Sequence, residues 1–271
     1  MKTINKKRLE KLELKALKFI NTVSEAIDKP LFSGNSGGKD SAIVDWLLQK
    51  SGVKYISFHA NTTLDPPGTI SFIKKNYPHT QILKPRETFY QLIRRKGLPT
   101  RLNRYCCEHL KEYGSIGKMV FEGVRSCESK NRKGRDYIQC DNRKWQKGAK
   151  HIYPIYDWTD DEVWSFIELH KIELAPSYAK GLKRLGCVGC PLVSKKKRLA
   201  EFKIYPKILE NIKRAIKVGM EKNPQWKLSV ATDKNEETAI QWWLSGLTMN
   251  QFFLEYKFSG SRKEGWKKIK L

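Results

Sequence analysis

The sequence predicts an α/β protein, with a doubly wound, mostly parallel sheet and a helical C-terminal extension. Three observations predict it. Short apolar runs alternate with helical patterns between residues 30 and 124. A Gly-rich turn, Ser36-Gly37-Gly38, joins the first such strand to the helix that follows it. From residue 195 onward the pattern is helical and basic.

Taken in order, residues 2–28 mix Lys and Glu with Leu, Ile and Ala at helical spacing, which predicts a first helix. Pro30-Leu31-Phe32-Ser33 reads as a strand running into Gly34-Asn35-Ser36-Gly37-Gly38. Residues 40–50 have apolar side chains at helical spacing and stop near Gly52. Residues 54–60 alternate like a strand, and residues 66–77 read as a helix entered through prolines, which a first turn tolerates. A short strand at 81–83, a helix at 88–96 ending at Gly97 and a strand at 118–124 follow. Residues 125–150 are polar and basic, contain Gly134 and Gly148, and read as a long loop of the kind that carries function or is disordered. Residues 159–170 predict a helix capped by Thr159 with three acidic residues in its first turn. The expected organisation is an N-terminal helix over 1–28, an α/β domain over 29–194 and a basic helical subdomain over 195–271.

Composition narrows the class. At 271 residues and 39% hydrophobic the chain can bury a proper core, which excludes a disordered protein. It carries 53 Lys and Arg against 28 Asp and Glu, a net charge of +25 spread along the whole chain. That excess attracts polyanions, nucleic acid first among them; the plainer alternative is a lysine-rich surface without a partner. Residues 1–14 are charged and lack the apolar stretch of a secretory leader, and no run has the length of a membrane span. A cytoplasmic protein is expected, and six cysteines in a reducing compartment point to metal or redox chemistry rather than to disulfides.

Ser36-Gly37-Gly38-Lys39-Asp40-Ser41 has the parts of a phosphate cradle. Glycines bring backbone N–H groups close to an anion, the following helix aims its positive end at it, Lys39 adds a charge, and Ser36 and Ser41 add hydroxyls. The glycine spacing differs from that of a Walker A loop. Further motifs follow in order: Asn61-Thr62-Thr63 after the second strand, Gly123 to Arg132 (GVRSCESKNR), Ile155 to Trp164 (IYDWTDDEVW), Pro176-Ser177-Tyr178, and Gly181 to Pro191 (GLKRLGCVGCP). This ordered set, over roughly residues 30–210, resembles the phosphate loop and companion motifs of the N-type ATP pyrophosphatases and phosphoadenosine phosphosulfate (PAPS) reductases. Thr63 stands where that pattern usually has Gly. The resemblance implies an adenine nucleotide alpha hydrolase-like fold. It also implies a site for ATP or a sulfonucleotide built from Ser33, Ser36, Gly37, Gly38, Lys39, Asp40, Ser41, Asn61, Arg125 and Arg132, with Mg²⁺ bridging the phosphates. Lys39 and Asp40 would serve catalysis. Arg125 and Arg132 would clamp phosphate oxygens, or else stand as solvated charges.

Cys106-Cys107 and Cys187-Val188-Gly189-Cys190 supply four thiols in two pairs. Zinc uses similar spacings, but adjacent cysteines suit a cuboidal cluster better than a small tetrahedral ion. The pairing is similar to that of the cluster-bearing reductases, which implies a [4Fe–4S] centre on Cys106, Cys107, Cys187 and Cys190. If one of the adjacent pair is not a ligand, one iron stays open. Cys127 lies among Arg125, Lys130 and Arg132, which favours thiolate, so it is a candidate sulfur carrier or a small buried residue.

Sulfonucleotide reductases carry a catalytic cysteine in a short C-terminal motif, and no cysteine follows Cys190 here. The expectation is therefore an adenylating, pyrophosphate-releasing sulfurtransferase acting on nucleic acid, a tRNA base or the DNA backbone, with a cysteine desulfurase as sulfur donor and a homodimer as the usual assembly. A sulfonucleotide reductase using Cys127 and a nucleic-acid-binding regulator without turnover are the alternatives. Tyr205, Trp226, Trp242 and Trp243 are candidates for base stacking, with core packing the plainer role for the tryptophan pair.

Overall fold

The computed structural model describes residues 4–222, 236–252 and 254. Trp226 and the chain end at 266–271 lie outside the described residues. Six strands and nine α-helices are found among them. In chain order these are α1 (Lys6–Glu25), β1 (Leu31–Gly34), α2 (Lys39–Ser51), β2 (Ile56–Ala60), α3 (Thr69–Asn76), β3 (Gln81–Leu83), α4 (Phe89–Lys96), β4 (Met119–Phe121), α5 (Lys130–Lys133), β5 (Ile138–Cys140), β6 (Lys150–Ile152), α6 (Asp160–Leu169), α7 (Lys195–Ile204), α8 (Pro206–Lys222) and α9 (Glu236–Ser245). The residues fall into two compact units.

The first unit comprises, among the described residues, 4–61, 67–84 and 111–186. Its sheet has the order β3-β2-β1-β4-β6-β5, parallel except for the β5–β6 pair. The period-2 alternation of β1 and β4 sends Leu31, Met119 and Phe121 to one face. There they join Ile43, Leu47, Trp158, Val163 and Phe166 of the helical side and Leu9, Leu12, Ala16 and Ile20 of α1 in one core. The helix ends are set locally. Asn5 caps α1, Gly52 closes α2 in the left-handed region (φ 73°), and a Thr159–Glu162 capping box opens α6 as the sequence predicts.

The segment 125–150, expected to be a long loop, instead holds α5, β5 and the first residue of β6. Strands of three residues carry no legible period; they form because the Glu122 N–H donates to the Ile152 carbonyl and the Lys150 N–H to the Lys118 carbonyl, partners distant in sequence. The strand order turns back between β1 and β4, and open parallel sheets bind ligands beyond the carboxyl ends of strands at such a point.

The second unit comprises, among the described residues, 62–66, 85–110 and those from 187 onward. Its described helices, α4, α7, α8 and α9, pack on one another. On α8, Ile208, Leu209, Ile212, Ala215 and Ile216 fall on one buried stripe at helical spacing, and Pro206 sits at the first position, where it loses no hydrogen bond. Tyr205 and Trp243 are buried in this unit, so both serve packing rather than stacking on an external base.

Candidate functional site

The phosphate-loop candidate sits in the first unit, between the carboxyl end of β1 and the start of α2. Gly37 has φ +70°, the region open to glycine, and the Asn35 side chain accepts its N–H at 2.9 Å. Ser36 and Ser41 hold the loop closed. Their hydroxyls are 3.1 Å apart, Ser36 N–H donates to Ser41 Oγ at 3.2 Å, and Ser41 Oγ donates to the Gly38 carbonyl at 2.9 Å. The Lys39 N–H, the first of α2, donates to the Tyr178 hydroxyl at 2.8 Å. Burial pushes that tyrosine up to about 12, so the hydroxyl stays protonated.

The loop after β4 comes against this turn. A Cβ on Gly123 would lie 2.5 Å from the Asp40 carbonyl carbon and 2.7 Å from Asp40 Cβ, so glycine is needed for the two loops to touch. Arg125 follows, 1% exposed. It donates Nε to Asp40 Oδ1 at 2.7 Å and Nη2 to Asp160 Oδ1 at 2.6 Å, and its Nη1 is 3.3 Å from the Trp158 carbonyl and 3.1 Å from Cys127 Sγ. Lys39 Nζ is 2.9 Å from Asp40 and 3.9 Å from Asp160. The result is two buried cations and two carboxylates, of which one, Asp160, is 71% exposed. The hydrogen bond from Arg125 first, and then its charge and that of Lys39, hold Asp160 below the usual carboxylate range against the effect of burial.

Of the residues expected at a nucleotide site, Ser33, Ser36, Gly37, Gly38, Lys39, Asp40, Ser41 and Arg125 are therefore on β1, on the loop or against it. Asn61 stands beyond the end of β2, the neighbouring strand. Arg132 lies on α5, paired with Glu128. Burial, and then Arg184 and Arg135, pull its guanidinium down to about 10, so three arginines crowd one region; Arg184 also approaches Glu128 at 3.4 Å. Cys127 is exposed beside Arg125. The sequence does not mark Asp160 and Tyr178 as site residues. Both lie inside quoted motifs, but their partners stand 35 and 139 residues away.

The four paired cysteines lie together in the second unit. Cys106 is pushed well above the ordinary thiol range, by its hydrogen bond with Cys107 first, then by burial and by the charges of Cys107, Cys187 and Cys190. None of the six cysteines is in a disulfide. Among the described residues no group of three or more His, Cys, Asp or Glu side chains is arranged to hold a metal ion. Gly189 has φ +74°, and a Cβ there would overlap the Phe202 ring. Its N–H donates to Glu201 at 2.9 Å. Arg101 fixes the turn after Cys190 through the carbonyls of Pro191 (3.3 Å) and Leu192 (3.2 Å). Thr63, in place of the usual glycine, has φ 57°, and its hydroxyl accepts the Phe89 N–H at 2.9 Å.

The profile of the phosphoadenosine phosphosulfate reductase domain matches residues 30–193, which takes in the phosphate loop, the Arg125 loop and all four paired cysteines. The chain belongs to the PAPS reductase family. An uncharacterised protein of Methanocaldococcus jannaschii is 31% identical over 217 residues, 75% of this chain and 52% of that protein. An adenosine 5'-phosphosulfate reductase of Allochromatium vinosum is 23% identical over 197 residues, 66% of this chain and 74% of that enzyme. The chain spans about half the length of the curated relatives it matches first. Among solved structures, the phosphoadenylyl-sulfate reductase of Candida auris, a phosphate complex, shares the fold at a TM-score of 0.50 and 15% identity, covering 69% of this chain and 97% of that one.

Proposed function

We propose that this member of the PAPS reductase family is an ATP-dependent sulfurtransferase that thiolates nucleic acid. The observation that carries the reading is the Lys39–Asp160–Arg125–Asp40 arrangement at the turning point of the sheet. Two buried cations face the loop, and a single exposed carboxylate, Asp160, lies over both. A phosphate entering the loop displaces Asp160 and takes its place against Lys39, while Asp40 keeps Arg125 and Lys39 in position. Lys39 and the positive end of α2 then stabilise charge on the phosphates as an oxygen of the substrate attacks the α-phosphorus and pyrophosphate leaves. Sulfur at the sulfide level displaces AMP from the adenylate, so the exchange of oxygen for sulfur is redox-neutral. Cys127, next to the Arg125 guanidinium, is the candidate carrier of that sulfur as a persulfide, from which an external thiol releases it as sulfide and leaves Cys127 in a mixed disulfide. Mg²⁺ needs only one or two carboxylates besides phosphate oxygens, and the displaced Asp160 is suited to it.

Two observations support a [4Fe–4S] cluster on Cys106, Cys107, Cys187 and Cys190. The four thiols stand within electrostatic reach of one another, and two buried N–H donors of Arg198, near Cys190, have no acceptor among the described residues. When bound with one of Cys106 and Cys107 off it, the cluster would supply an open iron that holds sulfur for transfer. The net charge of +25 supports a nucleic-acid substrate, DNA backbone or tRNA base, and a cysteine desulfurase as donor completes the scheme. The test is pyrophosphate release from ATP with and without nucleic acid. Stimulation by nucleic acid that is lost in Lys39→Ala supports the reading; ATP left intact under all conditions sinks it. The relatives named adenosine 5'-phosphosulfate reductase favour a second reading, reduction of a sulfonucleotide, whose signature is release of sulfite.

A further inference from the structure

Arg198, on α7, is 3% exposed. Its Nη2 caps the C-terminal end of α9, donating to the carbonyls of Trp243 at 2.8 Å and Leu244 at 3.3 Å. The guanidinium lies over the Trp243 ring, 5.1 Å from its centroid, and the Trp243 indole is itself tied to the Pro99 carbonyl at 2.7 Å. These contacts use one nitrogen of three. Nε and Nη1 are buried and have no hydrogen-bond partner among the described residues. Buried donors are rarely left unmade, because nothing replaces the water they give up.

The surroundings narrow what completes them. The side chains whose charge Arg198 feels are Cys190, Arg101 and Glu201. Glu201 is already engaged with the Gly189 N–H at 2.9 Å and lies 3.8 Å from Lys197. Arg101 is a second cation, spent on the Pro191 and Leu192 carbonyls. Two guanidinium groups thus flank the Cys187–Cys190 turn, with one carboxylate beside them. That excess of positive charge is the complement of a group that is net negative and rich in acceptor sulfur. Four thiolates around iron and inorganic sulfide are such a group.

We propose that Arg198 donates Nε–H and Nη1–H to the sulfur shell of a cluster held by Cys106, Cys107, Cys187 and Cys190, and so sets its reduction potential. The proposal rests on the cluster reading above. Hydrogen bonds to cluster sulfur stabilise the more negative, reduced state, and the outer shell orients the ligands themselves. Arg198 is therefore a positioning residue: its Nη2 fixes it to α9, and the remaining edge, Nε and Nη1, is buried with no partner among the described residues.

The test uses the full chain, purified without oxygen and loaded with iron and sulfide. Redox titration of wild type against Arg198→Met is expected to show at least a tenfold fall in the equilibrium constant for one-electron reduction, a potential lower by about 59 mV. Because Arg198 also caps α9, the variant can fail to fold. Wild-type protein labelled with ¹⁵N-arginine then decides: the reduced cluster is expected to show a ¹⁵N hyperfine coupling that persists in Arg101→Lys. A loaded cluster with no such coupling, or with an unmoved potential in a folded Arg198→Met, overturns the assignment and leaves the cluster standing. Wild type that takes up no iron and sulfide overturns the cluster reading, and the assignment with it.

Discussion

Gly123→Ala tests whether the contact between the two loops builds the phosphate site. An added Cβ would lie 2.5 Å from the Asp40 carbonyl carbon and 2.7 Å from Asp40 Cβ and O, whereas ordinary contact begins at 3.4 Å. The Asp40 backbone must therefore retreat by about 0.9 Å, the difference between 3.4 and 2.5 Å. Asp40 holds Arg125 at 2.7 Å and Lys39 at 2.9 Å, so the retreat opens both ion pairs at once. Overpacking of this kind costs about 1–3 kcal/mol. Part of that cost should appear in stability and part in nucleotide affinity, where 1.4 kcal/mol corresponds to about tenfold. The control is Gly134→Ala, where a Cβ meets nothing within 4 Å. The assay is urea unfolding together with calorimetric titration of a non-hydrolysable ATP analogue. Gly123→Ala should weaken binding about tenfold, and Gly134→Ala should match wild type. If the two variants behave alike in both measurements, the reasoning is refuted.

Other outcomes follow from the same geometry. Lys39→Ala removes the buried ammonium at the head of α2 and should weaken the ATP analogue about 10-fold to 100-fold in the same titration, since a charge-assisted hydrogen bond is worth about 1.5–3 kcal/mol. Gly189→Ala combines a φ of +74° with a clash on the Phe202 ring, so anaerobically purified protein should lose most of any bound iron while the phosphate loop still binds nucleotide. Burial pushes Asp141 up, but the hydrogen bonds and charge of Arg143 outweigh it and bring the carboxyl to about 2 from 3.8. A depressed carboxylate stabilises the fold above its unfolded pKa, so Asp141→Asn should cost at most about 2 kcal/mol at pH 7. That difference should vanish as the pH falls from about 4 to about 2; a gap constant with pH in chemical unfolding would contradict it.

The sequence makes legible whatever is local. The phosphate loop, the Thr159–Glu162 capping box and the paired cysteines are each contained in a few consecutive residues, and periodicity alone marks α2, α4 and α6. What it hides depends on distant partners. β5 and β6 are three residues each and exist only by pairing, with Ile138 opposite Ile152. Asp160 reads as a first-turn acid of α6, and only the fold brings it to Arg125. Arg198 reads as one more basic residue in Lys195-Lys196-Lys197-Arg198, although it is the one of the four that is buried. The Thr63 departure from glycine is visible in sequence, but its left-handed backbone and its hydrogen bond to Phe89 are not.

The most direct test of the account supplies the full chain, loaded with iron and sulfide, with ATP, ³⁵S-labelled sulfide and either tRNA or DNA. Labelled nucleic acid should be counted against AMP and pyrophosphate. The account predicts label in the nucleic acid in proportion to both products, and none with Lys39→Ala. Sulfite released from an adenosine phosphosulfate, with ATP uncleaved and the nucleic acid unlabelled, would contradict it.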